Sequence, residues 1–124
     1  MANDITQRVL QGALGTKRAV KLINIVSDAS AESGLVVFNH EQFFENGRLM
    51  KFKAYGSTCL VRLEFEATDN APIVSFNPVN NPCGDFECFG GITNPNTAGA
   101  TGNILMNVTG LASGGEITIL LEIA

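Results

Sequence analysis

The chain carries little with which to do chemistry. Among its 124 residues there is no tryptophan, a single tyrosine (Tyr55) and a single histidine (His40). Sugar-binding modules stack pyranose faces on exposed Trp or Tyr, so this scarcity counts against glycan recognition. One imidazole leaves only a Cys-His or Ser-His pair for nucleophilic catalysis, and no nucleophile elbow accompanies either. A structural zinc needs four thiolate or imidazole ligands, yet only His40 and the distant Cys59 remain to complete a set begun by Cys83 and Cys88. Gly90-Gly91 and Gly110, Gly114 and Gly115 lack the lysine, helix start and spacing that cradle phosphate. No metal, cofactor or enzymatic activity is expected. No segment approaches the roughly 20 apolar residues of a membrane span. Residues 1–16 lack the charged start and apolar run of a signal peptide. The expectation is synthesis in a cytoplasm with no membrane partner.

The three cysteines are an odd count, which argues against a disulfide framework. Cys59 falls in the apolar register of its surroundings, as a small buried hydrophobe would. Cys83 and Cys88 are separated by four residues and could close a small loop in an oxidising setting. The net charge of −4 conceals an asymmetry, because every lysine and arginine lies at or before Arg62 while Glu64, Glu66, Asp69, Asp85, Glu87, Glu116 and Glu122 follow it. An acidic chain whose basic residues are not interleaved with a stacking platform is not expected to bind nucleic acid.

What is present is alternation. In residues 58–67, Cys59, Val61, Leu63, Phe65 and Ala67 fall on one side, with Arg62, Glu64 and Glu66 on the other. Ile117, Ile119, Leu121 and Ile123 oppose Glu116, Thr118 and Glu122, and Ile104, Met106 and Val108 oppose Asn103, Asn107 and Thr109. A period of two marks half-buried antiparallel strands. Residues 19–26 are apolar on both faces apart from Lys21 and Asn24, as suits a central strand. Further runs at 35–39, 49–55 and 73–76, with a short one at 85–89, bring the total to about seven or eight strands at roughly ten-residue spacing. That spacing predicts an all-β domain, an antiparallel β-sandwich or a jelly-roll-like barrel, over residues 17–124. Residues 77–83 and 90–101, rich in Pro, Asn and Gly, read as loops.

Residues 1–16 read differently, as a short arm or helix. Asp4 is placed to cap a helix with Gln7 three residues later, Ile5, Val9 and Leu14 would share a face, and Gly15 would end it. So short a helix is marginal alone. Ile5, Val9, Leu10 and Leu14 are therefore candidate assembly contacts, and the segment is expected to serve assembly more than folding. Two chemical candidates stand beside it. Glu64 and Glu66 project from one strand face about 6 to 7 Å apart, a separation that suits a glycosidase-like acid and base. Asn77, Asn80, Asn81 and Asp85 offer oxygens to calcium, although one carboxylate makes a thin site and turn formation explains the asparagines equally well.

The segment Phe89-Gly90-Gly91-Ile92-Thr93-Asn94-Pro95, followed by Gly99, Gly102-Asn103-Ile104-Leu105, Thr109-Gly110-Leu111 and the run 117–123, resembles the C-terminal half of small tailed-bacteriophage virion proteins of the capsid decoration or cement type. The resemblance implies a compact β-sandwich, often a homotrimer, that binds the major capsid protein on the outside of the head. It implies a location on the virion surface after synthesis in the host cytoplasm. It carries no residue-level interface. The other class left open is a receptor- or glycan-binding module of a phage fibre or bacterial surface, with its site in the 77–101 loops.

Overall fold

The computed structural model describes residues 3–11, 18–28, 31–41, 47–80, 82–95 and 98–124. Among these, nine strands succeed one another: β1 (Asp4–Gln11), β2 (Ala19–Val26), β3 (Glu32–Phe38), β4 (Leu49–Gly56), β5 (Leu60–Phe65), β6 (Ala71–Phe76), β7 (Cys83–Asp85), β8 (Ile104–Thr109) and β9 (Glu116–Ile123). They form two antiparallel sheets, one ordered β1-β2-β9-β4-β7 and the other β3-β8-β5-β6. The sheets pack face to face as a β-sandwich, and the described residues form no closed barrel.

Alternation in the sequence becomes burial in the fold. Val61, Leu63 and Phe65 of β5 and Ile117, Ile119, Leu121 and Ile123 of β9 turn inward, and β8 supplies Ile104, Met106 and Val108. One contiguous core results, shared by both sheets. The strands at 60–65 and 71–76 pair as a hairpin. The final two strands do not pair with each other. β8 lies between β3 and β5, whereas β9 lies between β2 and β4, so residues 110–115 cross from one sheet to the other. Ser27 holds that crossover, since its Oγ donates to Leu111 O (3.0 Å) and its N–H to Gly115 O (2.8 Å).

Two local expectations are corrected. The N-terminal helix is a strand, with Asp4–Gln11 paired along β2. Tertiary pairing overrides the capping pattern because Ile5, Thr6 and Val9 are β-branched and β2 presents an open ladder of backbone groups. The strand expected over 85–89 is instead β7, ending at Asp85, followed by a 3₁₀ turn at Glu87–Phe89. Gly90, at φ 77°, stops that turn and donates its N–H to Glu87 O at 2.9 Å.

Candidate assembly surface

β1 is the edge of the five-stranded sheet, and its two faces have different tasks. Register with β2 sets Ile5 opposite Ile25, Gln7 opposite Ile23 and Val9 opposite Lys21 on the inner face. Lys21 is a charged group in an apolar layer, only 7% exposed. Its Nζ donates to Gln7 Oε1 at 2.7 Å, and Gln7 Nε2 donates to Val36 O of β3 at 3.2 Å. This chain of bonds ties the edges of the two sheets together. Burial pushes the Lys21 pKa below its ordinary value. Of the four residues expected to make contacts, Ile5 packs partly against the core, whereas Val9 and Leu10 are 50% and 48% exposed. Leu14 lies outside the described residues. On the outer face, Asp4, Thr6 and Arg8 are exposed, and neither Asp4 nor Arg8 forms an ion pair among the described residues.

The carboxylates and the histidine named from sequence are engaged in local structure. Glu64 Oε1 accepts from Asn70 Nδ2 (3.1 Å), and its Oε2 faces Arg62 Nε at 3.5 Å. Glu66 Oε1 accepts from Thr101 Oγ1 (2.7 Å) and Asn103 Nδ2 (3.4 Å). Asn103 Oδ1 in turn accepts from the His40 backbone N–H (3.0 Å) and lies 2.8 Å from His40 Nδ1. An amide oxygen only accepts, so this contact assigns the proton to Nδ1. Gly102, at φ +90°, makes the approach possible, because a Cβ there would come within 2.9 Å of His40 Cβ. The network fastens residues 101–103 to the end of β5.

Of the oxygen donors named in the 77–85 segment, Asn77 and Asp85 have structural partners, whereas Asn80 is exposed. Asn77 Oδ1 accepts from Val79 N–H (2.9 Å), an Asx turn, while its Nδ2 donates to Thr58 Oγ1 (2.8 Å). Asp85 Oδ1 accepts from Glu87 N–H at 2.9 Å. Asn81 is outside the described residues. Cys59 is buried, and burial pushes its thiol pKa up, whereas Cys83 and Cys88 are exposed thiols.

A shallow concavity of about 470 Å³ lies on the outer face of the five-stranded sheet, away from Glu64 and Glu66. Val20 and Leu120 are in its floor, with Lys51, Lys53, Asp85 and Glu122 around them. Phe52 also borders it, but its ring is turned into the core and stacks on Phe76 with centroids 4.3 Å apart. Rim charge is largely internally paired: Arg18 with Glu122, and Lys51 with Asp85 (3.9 Å) and Glu87 (3.4 Å). Basic residues of the first half thus meet acidic residues of the second, because β9 flanks β2 and β7 flanks β4. Sequence reasoning passed over Gln7 and Lys21, although a lysine inside the apolar run 19–26 was a signal. The chain matches no family model and no curated protein.

Proposed function

We propose that the protein is a non-enzymatic structural subunit of a tailed-phage virion, a decoration or cement protein that binds the major capsid protein on the outside of the head and stabilises the lattice. The observation that carries this reading is a sandwich whose candidate catalytic groups are spent on holding loops and whose edge strand β1, with Val9 and Leu10 half exposed, is left for assembly with a further copy. Edges of this kind are ready-made for joining another chain. The resemblance in residues 89–123 supplies the phage context.

The test adds the purified protein to heads of the encoding phage from which it has been stripped. Saturable co-sedimentation, with heads that then survive a higher temperature, is the expected outcome. Heads that neither bind nor gain stability would overturn the reading. The concavity on the five-stranded sheet favours a second reading, a receptor- or glycan-binding module. Its signature would be saturable binding to host cells or a glycan array, abolished by Leu120→Arg.

A further inference from the structure

We infer that β1 is the seam of a two-fold dimer, in which the β1 strands of two copies pair antiparallel about Thr6 and join two five-stranded sheets into one. The two sheets have four edge strands, β1, β7, β3 and β6. β7 has three residues, too few for an extended ladder with another chain. β6 contains Pro72, which has no N–H to give, and its register shifts between Leu63 and Glu64 of its partner. β3 is interrupted twice, between Glu32 and Leu35 and between Val36 and Phe38, with Gly34 at φ 69°. Such irregularities blunt an edge against pairing. β1 alone keeps an uninterrupted register from Asp4 to Val9, with its shift deferred to the Val9/Gln11 end.

Charge then fixes both occupant and register. In an antiparallel pair centred on Thr6, Asp4 lies opposite Arg8 of the second copy, and Arg8 opposite its Asp4. Both side chains sit on the outer face, exposed and without an ion pair of their own among the described residues. Opposite charges placed directly across a strand pair attract, and symmetry makes the contact twice. On the inner face the same register puts Val9 diagonal to Ile5 of the second copy, within the reach of cross-strand neighbours. Gln7 is left undisturbed, since its bonds to Lys21 and Val36 run within one copy. Pairing of a strand with itself is isologous and closes at two copies. The inference therefore goes beyond the proposed function and gives a dimer where the phage resemblance implies a trimer.

The experiment is sedimentation of the full chain and three variants at micromolar concentration, without phage heads, so lattice binding is judged separately. Wild-type protein should be dimeric. Arg8→Asp and Asp4→Arg each set like charges across the seam and should weaken the dimer by about tenfold or more. The double variant, Asp4→Arg with Arg8→Asp, reverses the pair and should restore affinity to within a few-fold of wild type. Thermal midpoints of the single variants should fall no further than the lost association accounts for and should meet that of wild type on dilution to monomer, because both residues are exposed within one copy. A monomeric or trimeric wild type would overturn the inference, as would single variants without effect or a double variant as weak as either single one.

Discussion

At the scale of single residues, the informative groups are the two whose burial conflicts with ionisation. Lys21 lies in the apolar layer with its pKa below the ordinary 10.5, and Cys59 lies in the core with its pKa above the ordinary 9.0. Desolvation causes both shifts, since it penalises the charged form in each case. The signs for stability are opposite. As pH rises through the lowered folded pKa of Lys21 towards 10.5, the unfolded chain holds more protons than the folded one, and stability increases. Above 9.0 the unfolded chain loses the Cys59 proton first, so the stability this thiol contributes is complete below 9.0 and is lost as pH climbs through its folded pKa. Urea midpoints measured from pH 7 upward should separate the two. Lys21→Met should remove the rising component and steepen the loss above pH 9, whereas Cys59→Ala should leave the rising component uncovered. Parallel profiles for wild type and Lys21→Met would show that Lys21 does not carry the linkage assigned to it.

At the scale of elements, strands whose alternation is uninterrupted were legible from sequence alone. Leu63 in β5 and Ile119 in β9 sit in the core where a period of two puts them. β1 was not legible, for a definite reason. Ile5 and Val9 are four residues apart, a spacing that shares a face in a helix and equally in a strand, since four is an even number. The residue that would have separated the two periods is Gln7, and it is polar because its partners are Lys21 and the Val36 carbonyl. Val9 and Leu10 were named as assembly candidates, with Ile5 and Leu14, for apolar character too dense for a solvated tail. Their place on a sheet edge depends on pairing with β2, which no local signal encodes. Deleting residues 2–11 decides how far this element serves folding as well as assembly. The deletion strips the cover from Ile25 and Lys21, frees the edge of β2 and removes the partly buried Ile5, whose burial is worth about 1 to 2 kcal/mol. The truncated chain should still fold, with its thermal midpoint lowered by about 5 to 10 °C. An unchanged midpoint would favour the expectation from the sequence that this segment serves assembly more than folding, and a chain that fails to fold would place β1 among the essential strands.

At the scale of the whole molecule, the organising fact is that the last strand occupies the middle of the first sheet. β9 joins β2 to β4, pairing Ala19 with Ile123 and Gly56 with Ile117. Gly56 takes φ +125° and passes so close to Glu116 O that a Cβ would overlap it, so the β4–β9 junction admits only glycine there. Long-range pairings of this kind close large loops before they repay the entropy, which puts folding in the millisecond-to-second range of all-β topologies. They also make the sheet depend on its final segment. Without residues 116–124, β2 and β4 have no common neighbour, and Ile117, Ile119, Leu121 and Ile123, each fully buried, leave the core. At about 1.5 to 3 kcal/mol for each such side chain, the loss is comparable to the whole stability of an ordinary domain, about 5 to 15 kcal/mol. A chain ending at Gly115 should therefore show neither strand-type circular dichroism nor a cooperative thermal transition. Supplying residues 116–124 as a separate peptide should restore both, because a central strand contributes its ladder and its side chains whether or not it is covalently attached. A truncated chain that melts cooperatively by itself would mean that the four-stranded sheet carries the fold and the five-stranded one is assembled upon it.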